Sequence, residues 1–183
     1  DFLKVYLVHS EDDDAIGTSG QSSQRSGLHP RLVSPIVAKA HAAGLQVTAH
    51  VETAADFRQA VRAGVDELAH VPGWLVTSAA DGEAARLTEA DARLALERHV
   101  RVVTTAVAGS AMPSVPGQHS HGHHEGHATG MSDQHPTASD ESRVQILKDN
   151  IALLHRMGVR IVVGSDHAET SLAEVMQLDR FHL

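Results

Sequence analysis

The hydrophobic positions of this chain follow two alternating patterns. Short runs rich in β-branched residues recur at Leu3–Val8, Leu45–Ala49, Val65–Ala69, Val100–Val107 and Val159–Gly164, lengths that suit strands rather than helices. Helical patterns with clear punctuation lie between them. Pro35–Ala43 reads as a helix with Gly44 at its C′ position, where a left-handed backbone is needed. Thr53-Ala54-Ala55-Asp56 is a capping-box-like start, and Gly64 ends that helix. Thr88-Glu89-Ala90-Asp91 opens another, running towards Arg98. From Asp140 to Met157, the residues Val144, Leu147, Ile151 and Leu154 share one face, and Gly158 stops the segment. Ser171-Leu172-Ala173-Glu174 opens a last helix. Strands alternating with helices are the mark of an α/β protein with a parallel sheet.

Two polar inserts interrupt the alternation. Glu11–Gly27 begins with four acidic residues and continues in Gly, Ser and Gln. Ala108–Asp140 is rich in Gly, Ser, Pro and His, and is expected to be disordered or ordered by metal. Both follow a strand, so in a (β/α)8 barrel both would sit on the face where active sites are built.

Composition narrows the classes. The chain has 183 residues, 15 Lys+Arg and 23 Asp+Glu, for a net charge of −8 with histidine neutral. That balance speaks against nucleic acid or an anionic membrane surface as a partner. Aromatic residues are only 3% of the chain, so the core must come from Ala, Val and Leu. The absence of Cys excludes disulfides and thiolate zinc sites. No apolar run approaches the roughly 20 residues of a membrane span. The first strand starts at once with no charged leader ahead of it, and Asp179–Leu183 stops inside a helical pattern. A fragment of a longer, cytoplasmic protein is the expectation. Histidine, at 15 residues, is the outlier.

Four polar residues fall in or at the end of strands that should be apolar. Lys4 lies inside the first run, His50 and His70 end the second and third, and Asp166 follows the fifth. A strand covered on both faces makes an ionisable group costly unless it is paired or bound to metal. Taken singly, each strand histidine is a satisfied core residue. Taken together, three of the four occupy the C-terminal edges of different strands. Imidazole and carboxylate are also the ligand set of zinc and its first-row relatives.

The segments Gly44–Thr53, Ala63–His70 and Met157–Asp166, with Asp1-Phe2-Leu3-Lys4-Val5 ahead of them, resemble the amidohydrolase superfamily, specifically its prolidase-like and imidazolonepropionase-like branch. The resemblance covers most of residues 1–183 outside the two inserts. It implies a partial (β/α)8 barrel containing the family's strands four to eight, with the His-rich loop 108–140 inserted after strand seven. It also implies a metal-dependent hydrolase of carbon–nitrogen bonds, acting through a metal-activated water on an amide, cyclic amide or dipeptide-like small molecule. By the resemblance, His50 and His70 are ligands of one divalent ion, with zinc favoured and one or two ions expected. Asp166 is both a metal ligand and the catalytic proton acceptor. Lys4 matches the lysine that many members carbamylate into a bridge between two metals; the alternative is that it stays an amine. By position alone, His9 faces substrate or lies in a surface turn, His167 touches substrate or holds Asp166, Thr104 and Thr105 line the pocket, and Trp74 walls it or simply packs. His41, His99 and His155 are taken as ordinary helix residues. Assembly into a homo-oligomer is left open.

One departure from the family pattern stands out. Its His-x-His pair on strand one has no counterpart ahead of Lys4, and His119-Ser120-His121 and His121-Gly122-His123 lie in the late loop instead. The chain alone is therefore expected to be inactive. Gln118–His127 packs five histidines and a glutamate into ten residues, enough imidazole to capture zinc, nickel or copper without a preformed site. A histidine-rich metal-binding module on a non-catalytic barrel fragment is the alternative function. A third is another parallel α/β enzyme with structural histidines, though no phosphate-binding glycine loop supports a nucleotide enzyme.

Overall fold

The computed structural model describes residues 1–8, 27–73, 79–106, 138–165 and 171–181. Its elements run β1 (Phe2–Tyr6), α1 (Pro30–Ala42), β2 (Gln46–His50), α2 (Ala54–Ala63), β3 (Glu67–Ala69), α3 (Ala79–Ala85), α4 (Glu89–Glu97), β4 (Arg101–Val103), α5 (Ala138–Arg156), β5 (Arg160–Val162) and α6 (Ser171–Arg180). All five expected strands are present, and they pair in parallel in the order β1-β2-β3-β4-β5.

That order distinguishes two α/β architectures. A doubly wound sheet reverses direction at a switch point. Here each strand is added beside the last, and right-handed crossovers then keep every helix on one face. Burial agrees. Val5, Leu7, Val47, Ala49, Leu68 and Val102 alternate onto the face that joins Val33, Val37, Phe57, Val61, Ala92, Ala95, Leu147, Ile151 and Leu154 in one core. The opposite face carries Lys4, Tyr6, Gln46, Thr48, His50, Glu67 and Arg101. Phe2 and Tyr6 on that face are 67% and 50% exposed, whereas Leu7 on the other is fully buried. This is an arc of a barrel, with the helices outside and the polar face inside.

The caps read from the sequence form as expected. Thr53 and Thr88 each accept from the backbone N–H three residues on, and Asp56 and Asp91 each return a bond to the cap backbone. Gly44 and Gly64 sit at φ +74° and +90°, a region that other residues enter only with strain. On α5, Leu147, Ile151 and Leu154 are buried and Val144 packs against the same core.

Three details differ. α1 starts at Pro30 with His29 as its cap, so Pro35 lies one turn inside it; two prolines compete for the first-turn position, and the sequence pattern does not rank them. α5 starts at Ala138 rather than Asp140. α3 was not expected, since Ala79-Ala80-Asp81-Gly82 carries no apolar stripe. Asn150 on α5 holds its end in place, accepting from Leu87 N–H at 2.9 Å and donating to Ala85 O at 2.9 Å and Pro72 O at 2.8 Å.

Candidate functional site

The C-terminal edge of the strands gathers the sequence-singled residues that the structure describes. His50 ends β2 and His70 follows β3 directly. Both are buried, and their rings meet edge to face with centroids 4.6 Å apart. Tyr6, paired with His50 in the strand register, lies 5.0 Å from the His50 ring. His50 Nε2 is 3.2 Å from Glu52 Oε1, just past the strand end. His70 Nδ1 is 2.5 Å from Thr105 Oγ1, beyond β4.

Two of the three left-handed non-glycine residues among the described residues lie at the same edge. His70 and Thr105 hold φ at +73° and +45°, each costing roughly 1–3 kcal/mol for a residue with a side chain. Buried packing and hydrogen bonds keep them there. Thr105 N–H donates to Gly164 O at 3.1 Å and Thr104 N–H to Val162 O at 3.0 Å. Glu174, a fully buried carboxylate on α6, accepts from Thr104 Oγ1 and from Ala106 N–H. Glu174, Glu52 and Asn150 went unread in the sequence. Only Glu174 left a trace there, as an acidic residue in a helix's first turn, a position that solvated carboxylates also take.

Lys4 stands one row lower. It is in register with Thr48, Glu67, Arg101 and Arg160, on the same inner face but two residues below His50 and Tyr6. Its exposed ammonium lies over the Tyr6 ring, 5.2 Å from the centroid, a cation–π contact of about 0.5–1 kcal/mol at such a site. The structure therefore joins His50 and His70 directly and links Lys4 to them through Tyr6. Asp166, His167, His9, Trp74 and the His-rich loop lie outside the described residues.

His50 and His70 suit a divalent ion as a donor pair. With metal–nitrogen bonds of about 2.0–2.1 Å, two imidazoles on one tetrahedral ion have ring centroids about 5 Å apart, close to the spacing seen. Each ring also has a second partner, Glu52 or Thr105, of the kind that orients metal-binding histidines. Among the described residues no group of three or more His, Asp or Glu side chains is arranged to hold an ion. Two imidazoles alone do not make such a group.

The opposite end of the strands holds a cavity of about 340 Å³ lined by His41, Asp66, Arg98, His99, Arg101 and Arg160, among others. Arg98, Arg101 and Arg160 outnumber its one carboxylate, Asp66. Asp66 accepts from Val47 N–H at 2.7 Å and pairs with His41 Nε2 at 2.9 Å. Partial burial pushes the Asp66 carboxyl up, but the Val47 bond, the His41 contact and the Arg101 charge outweigh it and hold the group below its ordinary value. Glu67 pairs with Arg101 at 3.3 Å and accepts from Thr48 Oγ1 at 3.2 Å. The C-terminal, partly negative ends of α1, α2 and α4 also point here. His41 is thus an ion-pair partner rather than an idle helix residue, and His99 lies past the end of α4 at φ +56°. His155 is exposed on α5, as expected.

No protein-family model and no curated protein matches the chain. Solved structures do. A Xaa-Pro dipeptidase with methionine bound in its active site superposes with a TM-score of 0.61 at 17% identity, over 100% of this chain and 39% of its own. An Aspergillus niger ochratoxinase gives 0.60 at 18%, over 100% of this chain and 35% of its own. An amidohydrolase gives 0.53 at 24%, over 84% and 32%. The chain thus spans about a third of the length of the structures it matches. Its fold is that of one part of the barrels in those structures, with five parallel strands in sequential order.

Proposed function

We propose that this chain carries part of the active site of a metal-dependent hydrolase that cleaves carbon–nitrogen bonds in a small molecule, whether amide, cyclic amide or dipeptide-like. The observation that carries the reading is the buried imidazole pair at the C-terminal edge of adjacent parallel strands, His50 and His70 with rings 4.6 Å apart. In this reading the two histidines hold a divalent ion, zinc by preference for imidazole and carboxylate donors. The chemistry such an ion supplies when bound is Lewis acidity, which activates water near neutral pH and polarises the scissile carbonyl. Asp166, after β5, takes the proton of the attacking water and returns it to the leaving group. Lys4 joins the site if carbamylated and otherwise remains the ammonium over Tyr6. His9 and His167 contact the substrate. The matched structures are about three times longer than this chain, so the proposed activity belongs to a whole barrel and the chain alone is inactive.

The test is zinc binding by the chain with Gln118–His127 deleted and His135→Ala introduced, so that loop imidazoles do not contribute. His50→Ala and His70→Ala should each weaken binding by at least about 100-fold, more than an outer partner is worth. In the whole protein, Asp166→Ala should abolish amide hydrolysis. Undiminished zinc binding in the His50→Ala/His70→Ala double variant would sink the reading. Loss of all zinc on loop deletion alone would favour the histidine-rich metal-binding module.

A further inference from the structure

We propose that Thr105 is a positioning residue whose hydroxyl accepts the Nδ1 proton of His70, fixing the imidazole tautomer in which Nε2 carries the lone pair. The proposal rests on the reading of His70 as a metal ligand, and it assigns a role to a second residue on a different strand. Three observations converge on it. The His70 Nδ1 to Thr105 Oγ1 contact, at 2.5 Å, is buried and joins residues 35 apart in the chain. Both residues hold left-handed backbone, which a β-branched threonine rarely adopts.

The surroundings over-determine the Thr105 backbone. One oxygen of Glu174 binds Thr104 Oγ1 and Ala106 N–H, on either side of Thr105, while Val162 of β5 and Gly164 just beyond it accept the Thr104 and Thr105 amides. A buried carboxylate and a strained threonine are thus both committed to placing one hydroxyl against one ring nitrogen. A hydroxyl can either donate or accept. If Thr105 donated, Nδ1 would be the unprotonated nitrogen, and Nε2 would carry a hydrogen that blocks coordination. If Thr105 accepts, Nε2 is the lone-pair nitrogen. The second arrangement is the one a ligating His70 requires.

The experiment measures the imidazole nitrogens of His70 in the metal-free, ¹⁵N-labelled 183-residue chain, at a pH where histidine is neutral. Two-bond proton–nitrogen correlations identify the tautomer, and His70→Gln assigns the signals. The wild type should show protonated Nδ1 and unprotonated Nε2. Thr105→Val, which keeps the shape and removes the acceptor, should shift the population towards protonated Nε2, and Thr105→Ser should restore the wild-type pattern. Protonated Nε2 in the wild type, or an unchanged tautomer in Thr105→Val, overturns the proposal. Should Thr105→Val fail to fold, the wild-type tautomer decides alone. Zinc titration followed at the His70 signals, which the loop histidines do not report, should be about 10- to 100-fold weaker in Thr105→Val and near normal in Thr105→Ser. A wild type whose His70 signals ignore zinc refutes the metal reading, whereas the metal-free tautomer reports on Thr105 independently.

Discussion

The two ends of the parallel strands solve opposite problems. At the C-terminal edge the polar residues are buried imidazoles, hydroxyls and carboxyls, two of them on strained backbone at His70 and Thr105. At the N-terminal end they are mostly guanidinium groups and carboxylates around an open cavity, with ion pairs at 2.9 Å and 3.3 Å. One end couples left-handed backbone to buried hydrogen bonds, and the other gathers ionic side chains. Strain persists only where its surroundings enforce it, whereas exposed charge pairs contribute little individually. The difference locates the candidate chemistry by the residues themselves, since the cavity lined by Asp66 and Arg101 lies at the opposite end.

Several substitutions sharpen that contrast. Asn150→Ala should have the largest effect on stability, about 2–3 kcal/mol, because it strands Leu87 N–H and the carbonyls of Pro72 and Ala85. Pro72 is two residues beyond His70, so zinc binding should weaken along with the urea midpoint. A loss below about 0.5 kcal/mol would mean that the loop finds other partners. Thr53→Ala, removing the cap of α2 beside Glu52, should cost about 1 kcal/mol in the same measurement.

At the other end, Asp66→Asn should cost about 0.5–1 kcal/mol near neutral pH, a modest figure because the pair is part-exposed. The sign of its pH dependence follows from the lowered value in the folded chain. Stabilisation by Asp66 is complete above its ordinary value of 3.8 and is lost as pH falls through the lower folded value. Wild type and variant should therefore converge in acid; a gap that widened there would contradict the assignment. Arg160→Ser, on an exposed strand start, should stay within about 0.5 kcal/mol of wild type. A larger loss would show that Arg160 does more at the N-terminal end than line the cavity.

Local chemistry written in the sequence was sufficient for much of the fold. Periodicity separated strands from helices, threonine–aspartate boxes marked helix starts, and Gly44 and Gly64 marked helix ends, because each depends on residues within one turn of one another. Strand-end placement was likewise enough to single out His50 and His70, since an imidazole at a parallel-strand terminus is visible in one dimension. The start of α1 was ambiguous for the same local reason: either Pro30 or Pro35 satisfies the first turn. Tertiary structure alone decided which polar residues meet. His70 faces Thr105 across 35 residues, Glu174 reaches Thr104 across 70, and Asn150 reaches Pro72 across 78. It also set Lys4 a row below the histidines, with its ammonium on Tyr6 rather than against either imidazole. Those pairings depend on strand register and helix docking, which arise from burying a shared core, and no short stretch of sequence encodes them.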